Sequence, residues 1–353
     1  MTENSISKSE KTPWTRTRRW LCFLTLFLVI VTLVLLCYGS SLEPLHIWIY
    51  KIWSTKSYNT QQHMTTNGST SPAQPSTSEY FVAYPHQYHF ILDEPDRCQQ
   101  ESPFLVLMIP VAPHNREARD VIRKTWCRET RVLGRVISHY FLLGRSKEGH
   151  GLEKQVLQES QENHDILQSD FLDTYNNLTI KTMVMFEWLS NHCPNTLYAM
   201  KIDSDMFLNV HKLVDMLLKA PQHLYMTGML AQGALVLRDH NSKWFLPYSA
   251  FPESTYPPYA LGLGYVFSLD LPKKIVEASA HVKAIYIEDV YVGLCMRHLN
   301  IALTNPPNGG LFKAIMQKET RCYWTSVITT ILGSPKQLLD VWGAYQTQVQ
   351  GGC

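Results

Sequence analysis

Apolar and polar residues alternate along the chain in blocks that suit buried strands and amphipathic helices. Residues 104–109 are wholly apolar, as in a strand covered on both faces of a parallel sheet. Asn115 is placed to cap a helix over residues 116–126, and residues 136–143 predict the next strand. The same order continues with a helix at 152–162, a short strand at 165–167, a helix at 178–192 and a strand at 197–202. This order predicts a Rossmann-like α/β domain.

A longer apolar run lies near the N-terminus. Residues 20–38 contain no Asp, Glu, Lys, Arg or His, and a helix of that length spans roughly the 30 Å hydrocarbon layer of a membrane. We therefore predict a single transmembrane helix. A cleaved signal peptide is the alternative, but its apolar region is shorter and ends in small residues. Basic residues outnumber acidic ones before the run, so the positive-inside rule places residues 1–19 in the cytosol as a tail.

The segment after the predicted span, residues 39–95, has the composition of a flexible stem. Residues 54–79 are rich in hydroxyl and amide side chains and have almost no aliphatic ones, so they cannot bury enough apolar surface to offset the entropy of ordering. Residues 45–53 (LHIWIYKIW) are either an aromatic belt at the bilayer surface or a short β segment. Residues 96–353 then form one folded domain.

The predicted topology places the stem and the folded domain in an oxidising compartment. Asn67 and Asn177 begin sequons for N-glycosylation, a modification of that side of the membrane. Cysteines beyond the span are widely spaced, which favours disulfides over a zinc site: Cys98, Cys127, Cys193, Cys295, Cys322 and Cys353. Many pairings remain open on spacing alone.

Two acidic motifs hold the candidate chemistry. Asp203 and Asp205 follow a predicted strand, and alternate residues of an extended segment point the same way, so both carboxylates could face one divalent cation. A solvated turn is the alternative. Asp289 lies near the predicted start of a helix, where a carboxylate is ordinarily a cap. A catalytic role for Asp289 requires that it line a pocket.

Two glycines lie between these acidic motifs. Gly262 and Gly264 lack side chains, so they would let a ligand approach the backbone closely. A turn before a strand at residues 265–269 explains the same glycines without a ligand.

Taken together, these stretches resemble the inverting β-1,3-glycosyltransferases (glycosyltransferase family 31), most closely the β-1,3-galactosyltransferases. The resemblance covers roughly residue 98 to the C-terminus, and several motifs in order are far more specific than one. The matching stretches are REARDVIRKTW (116–126), FLLG (141–144), DTYNNLTIKTMVMFEWLSNHCPNTLYAMKIDSDMFLNV (173–210), SKWFLP (242–247), YPPYALGLGYVFS (256–268) and IEDVYVGLC (287–295).

This resemblance implies a GT-A fold, a Rossmann-like mixed sheet flanked by helices, with residues 96–353 as the catalytic domain. It also implies a single-pass type II protein of the Golgi membrane. By position, Asp203 and Asp205 would bind Mn²⁺, with Asp205 as the direct ligand, and Asp289 would be the general base. The residues implied to hold the UDP-sugar donor are these two aspartates together with Arg119, Arg123, Lys181, Gly262 and Gly264.

The sequence departs from the family pattern at two places. Many members have a metal-binding histidine where this chain has Ile331, and an isoleucine side chain cannot bind a metal. Weaker cation binding or lost activity would follow. Ala260 and Leu261 replace the Cys and Ser of many galactosyltransferases, so one family disulfide is expected to be absent.

The resemblance leads us to expect transfer of galactose from UDP-galactose to a sugar hydroxyl in β-1,3 linkage, with inversion and a metal requirement. The acceptor would be a glycan of a glycoprotein or glycolipid. One alternative is a β-1,3-N-acetylglucosaminyltransferase that uses UDP-GlcNAc. Others are a catalytically silent relative that binds glycans or assists a partner, and a cell-surface adhesion receptor on a stalk. The formal net charge of +2 gives no pull towards nucleic acid, so a nucleic-acid partner is not expected.

Overall fold

The structure is a computed structural model that describes residues 77–316 and 320–353. Within those residues, no helix has both the length and the apolar character needed to cross a bilayer. The predicted tail, the predicted span at residues 20–38, the segment 45–53 and the Asn67 sequon all lie outside the described residues.

Strands and helices alternate through most of the described chain. The strands are β1 (Phe90–Leu92), β2 (Leu105–Pro110), β3 (Arg131–Val132), β4 (Arg135–Arg145), β5 (Ile166–Leu172), β6 (Tyr198–Ile202), β7 (Met206–Leu208), β8 (Met226–Ala231), β9 (Tyr259–Ser268), β10 (Phe312–Lys313) and β11 (Thr329–Ile331). The helices are α1 (Arg97–Glu101), α2 (Arg116–Lys124), α3 (His150–Asn163), α4 (Leu178–His192), α5 (Val210–Leu217), α6 (Leu271–Ser279), α7 (Glu288–His298), α8 (Tyr323–Ser326) and α9 (Pro335–Gln350).

The main sheet has the strand order β1-β5-β4-β2-β6-β9-β8. Its centre is parallel, because β2 pairs in parallel with β4 and β6, and β4 pairs in parallel with β5. The flanking strands run antiparallel to their neighbours: β1 to β5 on one side, and β9 to β6 and to β8 on the other. A smaller sheet has the order β10-β11-β7. The described chain is therefore a mixed α/β sheet flanked by helices, in agreement with the sequence prediction.

Burial explains why the central elements were readable from the sequence. Residues 105–109 of β2 are fully buried, as expected for a strand covered on both faces. Helix α2 begins where predicted, and the side chain of Asn115 accepts a hydrogen bond from the backbone N–H of Ala118. Helix α4 has the predicted bounds, and most of its side chains are buried in the core.

The bounds of strands β5 and β9 differ clearly from the predictions. Strand β5 extends to Leu172 because the buried polar side chain of Gln168 is satisfied by the carbonyl of Gly144 and by Glu153, so a polar residue continues the strand. Strand β9 begins at Tyr259, not at residue 265, since its first residues pair with β8. Gly262 and Gly264 thus lie within a strand, and the turn interpretation for them is wrong.

The folded part also begins before residue 96. Strand β1 is hydrogen-bonded to β5, and Tyr80 and Tyr84 lie in the hydrophobic core. Phe81 forms a bridge with Ile285, directly before the second acidic motif. Residues 80–95, which we expected to end the stem, therefore belong to the folded domain, because their aromatic side chains bury against it.

Two disulfides join distant parts of the described chain. Cys98 in α1 is bonded to Cys193 at the end of α4, and Cys322 is bonded to Cys353. Four of the six cysteines therefore pair, as the spacing favoured. Cys127 and Cys295 are buried thiols, and burial raises the pKa of each.

Candidate active site

Two adjacent residues of β9 connect both acidic motifs. Asp203 follows β6 directly, and its backbone N–H donates to the carbonyl of Leu263 at 3.2 Å. The backbone N–H of Gly262 donates to Oδ2 of Asp289 at 3.0 Å. Residues separated by more than eighty positions in the sequence are thereby brought to one edge of the sheet. This is the end of β6 at which α/β sheets bind ligands.

Asp289 is the carboxylate whose environment suits a base. It is half-buried in the first turn of α7, and its Oδ1 accepts from the N–H of Val290 at 2.9 Å. Burial and, to a lesser extent, the neighbouring Glu288 carboxylate raise its pKa to about 7, against the opposing effect of the two backbone N–H donors. A carboxyl group with a pKa near neutrality can both accept and release a proton at physiological pH.

Asp205 is exposed beside the position of the absent histidine. Strands β7 and β11 are antiparallel, with Ile331 opposite Met206. The N–H of Leu332 donates to the backbone carbonyl of Asp205 at 2.8 Å. The half-buried Ile331 is therefore one residue out of register with Asp205, so the backbone of the family's histidine position lies close to the Asp-Ser-Asp motif. No group of three or more His, Cys, Asp or Glu suited to a metal occurs within residues 77–316 and 320–353.

The two glycines of β9 face different neighbours. A Cβ at Gly262 would lie 3.0 Å from Oε2 of Glu288 and 3.6 Å from Oδ2 of Asp289, so this glycine makes room for the acidic motif. A Cβ at Gly264 would lie 3.3 Å from Cε of Met200, so Gly264 faces β6. Of the two glycines, Gly262 is the one next to the carboxylates of Glu288 and Asp289.

Lys181 lies close to the acidic end of β6. Its buried ammonium donates to Oδ2 of Asp173 at 2.8 Å and to the carbonyl of Val111 at 2.9 Å. Burial lowers its pKa, and the carboxylates of Asp173 and Asp203 act in the opposite direction. The same Asp173 oxygen accepts from the N–H of Gly144 at 2.8 Å. Lys181 thus ties together the ends of β2, β4 and β5.

Arg119 and Arg123 lie in a separate cluster, between α2 and α3. Arg119 is almost fully buried and donates to both carboxylate oxygens of Glu159, at 2.8 and 2.7 Å. It also donates to the carbonyls of Ala112 and Pro113, which follow β2. Arg123 donates to both oxygens of Asp165 at 2.8 Å. Both guanidinium groups are thus occupied within the protein, and contact of Arg119 with a donor would be indirect, through the loop after β2.

Three residues that the sequence analysis left without a role lie at this site. Burial lowers the pKa of Lys243, and the carboxylates of Asp205 and Asp203 oppose that effect. The Lys243 Nζ lies 5.1 Å from the ring centroid of Tyr175 and 4.5 Å from that of Trp244. Trp244 within SKWFLP was the available signal, since Trp joins a large apolar ring to a polar N–H and is enriched at binding interfaces.

The sequence analysis also missed Lys201. It is the one charged residue of strand β6, and its side chain is buried. That exception was visible in the sequence, because a charged residue at a buried strand position is rarely tolerated without partners.

Asn177 lies directly before α4, in a 3₁₀ turn that covers Tyr175–Asn177. Its Nδ2 donates to the carbonyl of Leu172 at 2.8 Å, and the hydroxyl of Thr179 donates to the buried carbonyl of Ile285. Glycosylation at Nδ2 would have to replace the first of these hydrogen bonds.

Comparison with known proteins gives the family. The family model described as galactosyltransferase matches residues 117–307, more than half of the chain and both acidic motifs. The chain belongs to this galactosyltransferase family, glycosyltransferase family 31. It is a glycosyltransferase by descent.

Individual family members match over most of the chain. Beta-1,3-galactosyltransferase 2 of Pongo abelii is 41% identical over 282 residues, which are 78% of this chain and 67% of that protein. Beta-1,3-galactosyltransferase 1 of Mus musculus is 39% identical over 261 residues, which are 73% of this chain and 78% of that protein.

Among solved structures, similar chains include the galactosyltransferase LgtC in complex with donor and acceptor sugar analogs. It covers 68% of this chain and 95% of its own, with 9% sequence identity and a TM-score of 0.36. The apo structure of the bifunctional glycosyltransferase WbbM covers 70% of this chain and 51% of its own, with 8% identity and a TM-score of 0.38.

Proposed function

We propose that this protein transfers galactose from UDP-galactose to a sugar hydroxyl in β-1,3 linkage, with inversion at the anomeric carbon. The proposal includes a GT-A fold. Support comes from β-1,3-galactosyltransferase relatives that are about 40% identical. The structural observation that carries it is that Leu263 and Gly262, adjacent in β9, bond Asp203 and Asp289 respectively. Carboxylates for a cation and for a base thereby lie at one edge of the sheet.

In the proposed reaction, an acceptor hydroxyl lies against Asp289. The Asp289 carboxylate takes the hydroxyl proton while the hydroxyl oxygen forms a bond to the anomeric carbon of galactose, which can contribute roughly 10²- to 10⁴-fold in rate. The bond between that carbon and the UDP oxygen breaks on the opposite face. UDP leaves with the electron pair, and the configuration inverts in one displacement, so a second nucleophilic carboxylate is not needed.

The donor set suits Mn²⁺ or Mg²⁺ in part. Asp203 and Asp205 offer oxygen ligands two residues apart, and Mg²⁺-like cations are commonly held by one or two carboxylates plus substrate phosphates. We propose that these two aspartates hold Mn²⁺, which would neutralise negative charge on the departing diphosphate. Ile331 supplies no ligand, so the diphosphate and water would complete the coordination.

Arg119, Arg123 and Lys181 would stabilise the protein around the donor site and would not contact the donor directly. Arg119 holds the carbonyls of Ala112 and Pro113, and Lys181 holds that of Val111, so both fix the loop after β2. We propose that this loop faces the nucleotide and that Arg123 supports α2 behind it. Lys243, which lies near Asp203 and Asp205, is the basic residue best placed to meet a phosphate.

The proposal extends to location and modification. A Golgi membrane protein with its N-terminus in the cytosol follows from the apolar run at residues 20–38 and the basic residues before it. Its acceptor would be a glycan of a glycoprotein or glycolipid. Asn67 and Asn177 would then be exposed to the glycosylation machinery.

A catalytically silent relative is the second candidate, and Ile331 is the observation that favours it. Both candidates are tested by incubating the full-length protein with Mn²⁺, a panel of sugar acceptors, and either UDP-galactose or UDP-GlcNAc. We expect a β-1,3-linked galactoside, identified by NMR, and no product from Asp289→Asn. Exclusive transfer of N-acetylglucosamine would reassign the donor. Binding of UDP with no transfer from either donor would support the silent relative.

A further inference from the structure

Lys201 is the only charged residue of β6, and it sits in the middle of the site. Its side chain is about 5% exposed, and its neighbours in the strand are Tyr198, Ala199, Met200 and Ile202. Burial of an ammonium group is costly unless the charge is paired and hydrogen-bonded. The partners of Lys201 therefore account for its presence.

Those partners belong to three separate motifs. The Lys201 Nζ donates to Oδ1 of Asp203 at 2.7 Å, and it lies 3.5 Å from Oε2 of Glu288. It also donates to the carbonyl of Gly262. One ammonium group thus joins the Asp-Ser-Asp motif, the Gly-x-Gly strand and the Glu-Asp motif.

Glu288 is held from several sides in turn. Its Oε1 accepts from the hydroxyl of Tyr265 at 2.8 Å and from that of Thr182 at 3.1 Å, and its side chain is buried. Glu288 therefore supports its neighbours, whereas the adjacent Asp289 is only half-buried.

Gly262 links Lys201 to Asp289 through two backbone hydrogen bonds. Its carbonyl accepts from Lys201 while its N–H donates to Asp289, so the same residue of β9 bonds both side chains. Lys201 also donates to Oδ1 of Asp203. This hydrogen bond holds the Asp203 side chain in one rotamer and leaves Oδ2 for the proposed cation. Loss of Lys201 would loosen Asp203 and the Gly262 support of Asp289 together.

We propose that Lys201, with Glu288, is a positioning residue that sets the geometry of the cation-binding and base carboxylates at once. This inference rests on the proposed transferase function. The competing explanation is that Lys201 only neutralises buried charge. Replacing a buried ion pair by apolar or neutral residues often preserves stability, so the two explanations can be separated.

The test compares Lys201→Met with Lys219→Met in the full-length protein. Lys219 is an exposed lysine paired with Asp215, so its replacement removes the same charge away from the site. Calorimetric titration with UDP in the presence of MnCl₂ should show a Kd at least tenfold higher for Lys201→Met and unchanged for Lys219→Met. Transfer at saturating donor and acceptor should fall as well, because a misplaced base lowers kcat and not only KM.

A double variant separates positioning from stability. Lys201→Met with Glu288→Gln removes both buried charges, so we expect its Tm to recover relative to Lys201→Met, while UDP affinity and kcat stay low. Recovery of affinity and kcat along with Tm would overturn the inference, as would an unchanged Kd and kcat in the folded single variant. Wild-type protein that binds UDP without transfer contradicts the proposed function alone. Wild-type protein that does neither contradicts both.

Discussion

The charged cluster between α2 and α3 and the charged cluster around Lys201 differ in their ratio of positive to negative side chains. Among the buried members of the cluster between α2 and α3, Arg119 and Arg123 meet Glu159 and Asp165 through paired hydrogen bonds, so two positive charges face two negative ones. Around Lys201 carboxylates are in excess, because this ammonium group lies 2.7 Å from Asp203 and 3.5 Å from Glu288 and also acts on Asp289.

The difference suits the two clusters to different tasks, structural support for the first and the proposed chemistry for the second. A balanced buried network satisfies itself and fixes helices in place. Burial and the neighbouring Glu288 raise the pKa of Asp289, and an excess of carboxylates of this kind would favour a bound cation. Arginines named by sequence motif alone therefore fall in the structural cluster, whereas Lys201, which no motif singled out, falls in the other.

The comparison is tested most strongly by Asp205→Asn. The exposed carboxylate contributes little to folding, so Tm should stay within a degree or so, while transfer at limiting Mn²⁺ should fall at least about 100-fold because the cation loses a ligand. Initial rates over a Mn²⁺ series, with thermal unfolding in parallel, check this. Unchanged rates at low Mn²⁺ would remove Asp205 from the proposed cation site.

Glu159→Gln makes the same chemical change in the balanced cluster and should have the opposite outcome. Removing one partner of a buried ion pair costs about 3 to 5 kcal/mol of unfolding free energy. Urea unfolding measures that loss, and kcat per folded molecule should be preserved. A large fall in kcat with full stability would instead place this cluster within the catalytic machinery.

The pH dependence of transfer sharpens the assignment of Asp289. A base must be deprotonated to accept a proton, and the pKa of Asp289 is raised to about 7, so kcat/KM should fall about tenfold per pH unit below that value. Since Glu288 contributes to the rise, Glu288→Gln should move this acidic limb to lower pH, whatever its effect on the maximum. A limb that does not move would assign the titration to another group.

The smallest expected effect is a gain in apparent affinity for Mn²⁺. Ile331→His restores the histidine that many family members have at this position, one residue out of register with Asp205, so the Mn²⁺ concentration for half-maximal UDP binding should fall about tenfold. Ile331→Asn, which is polar but a weak ligand, is the matched control. Equal Mn²⁺ curves for wild type and the histidine variant would show that this position does not reach the cation.

Elements with strong periodicity and full burial were predictable from the chain alone. The β2 run, the Asn115 cap and the bounds of α4 follow from local patterns that do not depend on distant residues. Predictions failed where pairing with a distant strand extended an element through unfavourable residues, as Gln168 does in β5 and the glycines do in β9. The early start of the fold at β1 has the same cause.

The order of the motifs determined the family, and residue type determined which side chains could be acids, bases or cation ligands. Only the folded chain decided which of them share a site. Hydrogen bonds from adjacent residues of β9 bring Asp203 and Asp289 together, while carboxylates of α3 and the loop that follows it keep Arg119 and Arg123 apart from them. The physical reason is that ionic partners are determined by proximity after the strands pair, and the pairing of β6 with β9 joins residues far apart in the chain, which local sequence patterns do not specify.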